Sequence, residues 1–356
     1  MNLNLDHEFV IRLTEEKSEK PDWVAFQECV QTDHMIQMRY ETGKGWQTPE
    51  ICPRKPIIIE PGSEVFWRSR FCTADVIAGC DRDGVIQIFR ARETVQAMQM
   101  NCRKKGLPVP EADLLTDGIR ALAEVEKDWI PTIEGAFLRI RILNIPEAAE
   151  AAETGKTSQH SHCSRLILSA EVCPSPRKYV RLSSGRELSA NHFLPAEGGE
   201  DTCVALIGAD DGILGGAGVN LFFRAGNTII TPPAPLGGPV YSDVMRDTAI
   251  CILEESGMTV VEDVPKLTAE SFGVEGETAA EIGIKEIGSI DEIFITGLTR
   301  GVGSVLEWSH FGKTIWTADE KKDEAAALLR RSRNGLLNGS REDRFRWILY
   351  ANKHHG

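Results

Sequence analysis

The sequence predicts an α/β protein built from two domains. Its 356 residues exceed what one compact core usually serves. Short β-rich runs bounded by turns alternate with amphipathic helical segments, a pattern typical of mixed α/β domains. The polar stretch PEAAEAAETGKTSQHSHCS is predicted to connect the domains. We therefore predict an N-terminal α/β domain over residues 1–150, a linker over 151–163 and a C-terminal α/β domain over 164–356.

The first domain is predicted to begin as an antiparallel meander. From Met35 the runs MIQMRYETGKGW, KPIIIEPGSEVFW and DVIAGCDRDGVIQIF are β-rich, and Asp81–Gly84 marks a hairpin-type turn. Helices are predicted over Glu93–Lys105 and Glu111–Asp128, the second from apolar residues at helical spacing behind a proline. Phe137–Leu143 alternates as a strand does.

The second domain is predicted to combine strands with glycine-rich turns. Its strand-like runs are LILSAEV, CVALIGADDGILGGAGVNLFFRAGNTIITPP and DEIFITG. A helix is predicted over Ser242–Ser256, since Gly257 follows in the position of a C-terminal cap. Thr317 and Glu320 have the spacing of a capping box and predict a last helix from Ala318 to about Arg333.

Composition argues against several classes of partner. The net charge is −13, so nucleic acid or an anionic membrane would have to bind a local basic patch, and none is evident. The basic residues Arg330, Arg331 and Arg333 are interpreted as a solvated helix face. The N-terminus lacks the apolar stretch of a signal peptide, and no run is long enough to span a membrane. We expect a cytoplasmic protein that binds neither nucleic acid nor membrane.

The cysteines and histidines do not form a recognisable metal site. Nine scattered cysteines without a CxxC pair predict reduced thiols. His160, His162 and Cys163 form a short cluster of zinc-ligand types, but no second pair stands at zinc-finger spacing. We interpret the cluster as part of a polar loop and predict no metal. The run GADDGILGGAG lacks the Lys-Ser/Thr ending of a phosphate-binding P-loop and is interpreted as a turn and loop.

A series of short strings runs in order over nearly the whole chain: GWQTPEICPRKPIII, VFW, DGVIQIFRARETVQAM, LRIRI, KYVR, ELSANHF, GAGVNLFF, TPP, VMRDT, EIFITG and EDRFRWI. Together they resemble the branched-chain aminotransferases, the fold-type-IV group of pyridoxal-phosphate enzymes. The resemblance implies a two-domain α/β aminotransferase-like fold of type IV, a cofactor cleft between the domains, and a homodimer.

The resemblance also places the lysine that would hold the cofactor. The match of Tyr179–Arg181 to a family strand, and of Asn191–His192 to the pair after the lysine, puts Glu187 at the lysine position. The chain has no lysine between Lys178 and Lys266. A carboxylate cannot form an imine with an aldehyde, which a primary amine can.

Other positions implied by the resemblance are also altered. Gly215 stands where the family has the acid that pairs with the cofactor's pyridine nitrogen. Ala97 replaces the phosphate-binding arginine, and Met245 and Leu298 replace threonines that contact the phosphate. Gly301, Val302 and Gly303 are predicted to form a tight turn whose amides could face an anion.

These positions lead to a functional hypothesis. It predicts a protein of aminotransferase-like fold that takes no cofactor and binds or converts a small polar or anionic molecule. Glu187 and His192 are the candidate acid/base pair, with a structural role for both as the alternative. The candidate ligand-binding residues are Arg181, Asn191, Thr299, Gly215 and Arg68.

Two further hypotheses remain open at this point. One is a pyridoxal-phosphate-dependent branched-chain amino acid transaminase in which Lys178 serves as the amine. The other is an inactive subunit that modulates an active paralogue.

Overall fold

The computed structural model describes residues 5–147, 163–186, 201–207, 212–234, 244–265, 290–310, 312–319 and 323–351. The chain forms two compact units. The first comprises Met1–Ser175 together with Asn334–Gly356, and the second comprises Pro176–Arg333.

The strands are numbered in chain order. They are β1 (Val10–Ile11), β2 (Val30–Glu41), β3 (Gly45–Trp46), β4 (Glu50–Pro53), β5 (Cys72–Cys80), β6 (Ile86–Phe89), β7 (Phe137–Glu147), β8 (Cys163–Cys173), β9 (Tyr179–Arg186), β10 (Thr202–Ile207), β11 (Ile213–Gly216), β12 (Asn220–Ala225), β13 (Thr228–Thr231), β14 (Thr259–Glu262), β15 (Glu292–Gly297), β16 (Gly301–His310), β17 (Lys313–Thr317) and β18 (Ile348–Tyr350).

The helices are likewise numbered in chain order. They are α1 (Glu64–Arg68), α2 (Ala91–Lys104), α3 (Ala112–Val125), α4 (Val244–Glu255) and α5 (Ala325–Leu337), and a short 3-10 turn covers Lys127–Trp129.

The first unit is built on a sheet of nine described strands in the order β1-β4-β2-β8-β7-β5-β6-β18, with β3 paired to β2. The strands from β2 through β18 along this order pair antiparallel. Both α2 and α3 pack on this sheet. The hairpin turn at Asp81–Gly84 is confirmed, since β5 and β6 pair across it, and β2 pairs antiparallel with β3 as the predicted meander requires. The prediction that KPIIIEPGSEVFW is β-rich is wrong, because this run contains no strand and its last residues begin helix α1.

Helix α3 shows why the sequence forms this layer. Leu114, Leu115, Ile119 and Leu122 recur at helical spacing and are buried. They join the core formed by the inward faces of β2, β7 and β8. The apolar stripe therefore determines which face of the helix meets the sheet.

A buried polar cluster fixes β2 to the end of α3. The Glu126 carboxylate accepts a hydrogen bond from the backbone N–H of His34 at 2.6 Å and pairs with His34 Nδ1 at 2.8 Å. The neighbouring Asp33 accepts from the indole N–H of Trp129 at 3.0 Å and from the Ser18 N–H at 2.8 Å. Burial raises the pKa of Glu126, while its hydrogen bonds with His34 oppose that change. The carboxylate is thus costly to bury and depends on these partners.

A disulfide also belongs to the first unit. The prediction of nine reduced thiols is wrong in this structure, because Cys29 and Cys173 are bonded to each other. The two cysteines stand 144 residues apart in sequence, so no local spacing could indicate the pair. In the chain-entropy account, closing so long a loop stabilises the folded state by about 4–5 kcal/mol.

The second unit has its own sheet of nine described strands, in the order β11-β10-β9-β16-β15-β12-β13-β14, with β17 paired to β16. The sheet is mixed, since β9 pairs parallel with both β10 and β16. Helix α4 packs against β15. The predicted helix over Ser242–Ser256 agrees with α4 within the described residues.

The division of the chain by contacts differs from the predicted domain boundaries. Strand β8 begins at Cys163 and is hydrogen bonded along its length to β7 and β2, so it belongs to the first unit. The first unit extends to Ser175 and also includes the residues from Asn334 onward. Residues 148–162, which include most of the predicted linker, lie outside the described residues.

The predicted start of the last helix is wrong. Thr317 ends strand β17, and the helix begins at Ala325. Its first N–H groups, those of Ala325 and Ala326, donate to the buried carboxylate of Glu292 at 3.0 and 2.8 Å. A carboxylate at a helix N-terminus satisfies donors that have no partner within the helix. The cap therefore comes from strand β15 and not from a neighbouring threonine.

Substituting Glu126→Ala should lower the free energy of unfolding by about 3 kcal/mol, because it leaves the buried donors of His34 without a partner. The matched control is Asp128→Ala, which removes an acid whose ion pair with Lys17 is exposed. That control should change stability by less than about 0.5 kcal/mol. Urea unfolding of both variants measures the difference, and equal effects would contradict the role given to Glu126.

The disulfide determines how many thiols should react before and after reduction. Seven of the nine cysteines are not part of the disulfide, so the denatured, unreduced protein should react with seven equivalents of a thiol reagent. After reduction the count should rise by two, and peptide mass mapping should locate both new thiols at Cys29 and Cys173. Reaction of all the cysteines before reduction would contradict the pairing.

Candidate functional site

Four charged or polar side chains of the second unit form a cluster, here termed the Lys178 cluster: Lys178, Ser304, Asp323 and Arg330. Asp323 accepts a hydrogen bond from the Ser304 hydroxyl at 2.6 Å and another from the Arg330 guanidinium. Arg330 also donates to the Ser304 hydroxyl at 2.8 Å. The Lys178 Nζ lies 3.5 Å from the Asp323 carboxylate. One carboxylate thus bridges two cations.

The pairing of β9 with β16 positions this cluster. The two strands are parallel, and the backbone N–H of Ser304 donates to the carbonyl of Lys178 at 2.8 Å. Glycine is needed at Gly301, where φ is 66° and an added Cβ would lie 2.7 Å from the Pro176 ring. The absent side chain lets the segment before β9 lie close against the start of β16.

Lys178 supplies the amine of the cluster. Its side chain is 53% exposed, and its Nζ lies 4.7 Å from the centroid of the Tyr179 ring. A hydrogen bond to the Tyr179 phenol raises the pKa of Lys178, with a further contribution from the Asp323 charge. The side chain is therefore an ammonium at neutral pH, and it can act as a nucleophile only after it loses a proton.

Two turns of the second unit lie close together. The first, Ala217–Gly218, precedes β12, and the second, Leu298–Arg300, connects β15 to β16. The Asn220 amide nitrogen donates to the Thr296 carbonyl at 3.1 Å and so ties β12 to β15 beside these turns. The predicted tight turn at Gly301–Gly303 is wrong, because these residues are paired with β15 and the turn is formed by the three residues before them.

The described candidate ligand-binding residues fall in different places. Arg181 lies on β9 with 70% of its side chain exposed, and its Nε is 4.0 Å from the Glu307 carboxylate. Gly215 is buried in β11, and Thr299 is half-buried in the β15–β16 turn. Arg68 belongs to the first unit, at the end of α1, where it pairs with Glu64 at 3.3 Å. Arg181, Gly215 and Thr299 thus lie on three different elements of the second unit, and Arg68 lies in the first unit.

The remaining candidates cannot be placed. Glu187, Asn191 and His192 lie outside the described residues, as do His160 and His162. Their proposed roles stay predictions. Within the described ranges, no group of three or more potential ligands could hold a metal ion, and no helix is long and apolar enough to cross a membrane.

Most of the Lys178 cluster has no signal in the sequence. The sequence predicts a solvated face for Arg330 and Arg333, but Arg330 has only 17% of its side chain exposed and Arg333 is buried. Burial lowers the pKa of Arg333 to about 10. Ser304, Asp323 and Arg330 are far from Lys178 in sequence. They come close to it only in the folded chain, so no local sequence pattern indicates the cluster.

The comparisons with known proteins agree on one architecture. No family model matches the chain. Branched-chain-amino-acid transaminase 1 of Bacillus subtilis is 25% identical over 351 residues, covering 89% of this chain and 92% of that protein. Among solved structures, the branched-chain amino acid aminotransferase of Escherichia coli matches with a TM-score of 0.62 at 18% identity, covering 90% of this chain and 99% of that one. The chain has the branched-chain aminotransferase fold.

A third match bears on the cofactor. The branched-chain aminotransferase of Thermobaculum terrenum, solved in its PLP (holo) form, matches with a TM-score of 0.61 at 14% identity and covers 89% of this chain and 98% of that one. The predicted α/β fold of type IV is therefore confirmed, and the prediction that the chain takes no cofactor is wrong. That prediction relied on single aligned positions, whereas the match to a holo aminotransferase extends over nearly the full length.

The second unit offers some groups that fit this cofactor and some that do not. Met245 and Leu298, which the resemblance places at the phosphate, are buried apolar side chains and cannot donate a hydrogen bond. The hydroxyl of Thr299 and the exposed guanidinium of Arg300 follow Leu298 in the same turn. A hydroxyl and a guanidinium together suit a phosphate. Among the lysines of the second unit, Lys178 is the one whose side chain the structure describes.

Substituting Tyr179→Phe should lower the pKa of Lys178, because it removes the phenol oxygen whose hydrogen bond favours the ammonium. A larger fraction of the amine would then be neutral at a given pH. The pH profile for reductive methylation of Lys178 should shift to lower pH, as measured by peptide mass spectrometry. Tyr40→Phe is the control, since Tyr40 packs on Trp46 in the first unit. An unchanged profile in the first variant would contradict the assigned contact.

Proposed function

We propose that this chain is a pyridoxal-phosphate-dependent transaminase of branched-chain amino acids. The observation that carries the proposal is its end-to-end similarity to a protein named as such a transaminase, over 89% of this chain and 92% of the relative. Agreement with a solved holo form over 89% of the chain supports the cofactor. A small-molecule amino donor and a homodimeric assembly belong to the same proposal.

The described residues suggest a division of roles. Bound pyridoxal phosphate would supply an aldehyde for amine exchange and an electron-withdrawing ring. Lys178 would provide the amine that holds this aldehyde, once its proton has been released. Asp323 forms ion pairs with both Lys178 and Arg330, so it would orient the lysine side chain and balance the positive charge of both groups. Thr299 and Arg300 would donate to the phosphate from the β15–β16 turn.

A second candidate function is supported by a different observation. Met245 and Leu298 are buried and apolar where the resemblance implies hydroxyl groups, which favours a subunit with weakened chemistry. Such a chain could modulate an active homologue by assembling with it. Co-purification of a second, catalytically competent aminotransferase chain would support this function, and a self-associated chain with full transaminase activity would exclude it.

The test of the leading proposal is covalent trapping. The purified protein should develop a visible absorption band when pyridoxal phosphate is added, and borohydride should fix a phosphopyridoxyl group on Lys178, identified by peptide mass spectrometry. In a separate sample that has not been reduced, leucine and 2-oxoglutarate should give the 2-oxo acid of leucine and glutamate. Lys178→Ala should abolish both the band and the activity, by at least about a thousandfold in rate, because no other group replaces a covalent amine.

Lys105→Ala is the matched control. Lys105 is likewise an exposed lysine that lies over an aromatic ring, that of Phe71 at 5.1 Å, but it belongs to the first unit. This variant should retain the band and the activity. Trapping on a different lysine would overturn only the role given to Lys178. A protein with no band and no activity would overturn the proposed function.

A further inference from the structure

The first unit contains two buried cysteines in contact, Cys72 and Cys102, which have no part in the proposed function. Cys72 is the first residue of β5, and Cys102 lies near the end of α2, the helix that packs on this strand. The two residues are 3% and 0% exposed, and a hydrogen bond connects their thiols. Two sulfur atoms held this close already meet the first requirement for a disulfide.

Asn144 fixes the surroundings of Cys102. It lies on β7, directly opposite Cys72 in the antiparallel pairing. Its amide nitrogen donates to the Cys102 sulfur at 3.4 Å and to the Pro108 carbonyl at 2.9 Å, and its amide oxygen accepts from the Ser164 hydroxyl at 2.7 Å. Because both ends of the amide are engaged, the N–H donor stays directed at the sulfur. A fixed donor of this kind stabilises a thiolate more than a thiol.

These contacts make the two thiols unequal. The hydrogen bonds from Cys72 and Asn144 outweigh the cost of burial and lower the pKa of Cys102 to about 7, and the positive charges of Arg103 and Lys105 act in the same direction. The pKa of Cys72 is raised, because its hydrogen bond with Cys102 and its burial both favour the protonated form. Near neutral pH the pair therefore combines a thiolate at Cys102 with a thiol at Cys72.

We propose that Cys72 and Cys102 are a redox-responsive dithiol that hydrogen peroxide converts to a disulfide between β5 and α2. The Cys102 thiolate attacks one peroxide oxygen, the O–O bond breaks, and the departing hydroxide takes the proton of Cys72. The Cys72 sulfur then attacks the sulfenic acid at Cys102, and the S–O bond breaks. The second hydroxide takes a proton from solvent, so the two sulfurs lose two electrons and the peroxide becomes two molecules of water.

Exposure alone predicts a different order of oxidation. Cys80 also lies on β5 and is half-buried, whereas Cys72 and Cys102 are the least exposed of the seven thiols outside the Cys29–Cys173 bond. Burial raises the pKa of Cys80, so this thiol stays protonated and reacts slowly despite its exposure. Hydrogen peroxide is little larger than water, and a local opening at the end of α2 suffices to admit it. Selective oxidation of the buried pair is therefore the decisive observation.

Peptide mapping after treatment with a single equivalent of hydrogen peroxide tests the proposal. The number of thiols that react in denaturant should fall by two from the seven of the untreated protein. Without reduction, trypsin should then release Phe71–Arg82 joined to Glu93–Arg103. The first of these peptides contains Cys80 as well as Cys72, so Cys80→Ser is the matched control and should leave the joined peptides intact.

Single substitutions of the pair complete the test. Cys72→Ser and Cys102→Ser should each abolish the joined peptides, while the Cys29–Cys173 bond persists. Peroxide treatment should also raise the melting temperature of the unsubstituted protein by a few degrees and that of Cys102→Ser by none, because the new bond closes a loop between β5 and α2.

The pH dependence identifies the attacking sulfur. The rate of bridge formation should rise with pH and level off above about pH 8, where Cys102 is almost wholly thiolate, whereas attack by an ordinary cysteine would keep accelerating to about pH 9.5. Loss of thiols without joined peptides, joined peptides that persist in Cys102→Ser, oxidation of Cys80 ahead of the pair, or a rate that still rises above about pH 9 would each overturn the proposal. None of these outcomes depends on the proposed transaminase function.

Discussion

The parallel pairing of β9 with β16 is the constraint on which the arrangement of the second unit depends. It brings the backbone of Lys178 against Ser304, and Gly301 permits the approach because it has no side chain to meet Pro176. Asp323 and Arg330 then reach Ser304 from outside the strands. A side chain at position 301 would separate the two segments and disperse the charged groups that Asp323 connects.

Carboxylates act as connectors between distant segments in both units. Glu126 joins β2 to the end of α3, Glu292 connects β15 to the start of α5, and Glu147 lies between two arginines of neighbouring strands. Each of these acids accepts from more than one donor, which is the condition under which a buried or half-buried charge is tolerated.

The spacing of apolar residues predicts the helices well, but local sequence does not predict where helix α5 begins. The apolar spacing of Leu114, Ile119 and Leu122 sufficed to place α3, and Gly257 correctly marked the end of α4. The start of α5 was misplaced because its cap is Glu292, a residue of a different strand that no motif associates with the helix. The capping-box spacing of Thr317 was satisfied in sequence but lies where the backbone is extended.

The site was less accessible to sequence reasoning for the same physical reason. In the sequence, Lys178 is distinguished only by the absence of lysines in the residues after it, and Ser304, Asp323 and Arg330 come near it only because β9 pairs with β16. Likewise, Arg39 lies opposite Arg165 because of the register between β2 and β8, and neither composition nor residue spacing predicts that register. The overall resemblance to aminotransferases was carried by many weak strings and was therefore robust, whereas the inference about the cofactor depended on few positions and failed.

The bond between Cys29 and Cys173 joins the stretch just before β2 to the last residue of β8. Most of the first sheet, with α2 and α3, lies between these two points along the chain. A protease that cuts once anywhere within this span would therefore produce pieces that still migrate together until a reductant separates them. Cleavage there would leave both halves of the layer held side by side, in position to re-form their contacts.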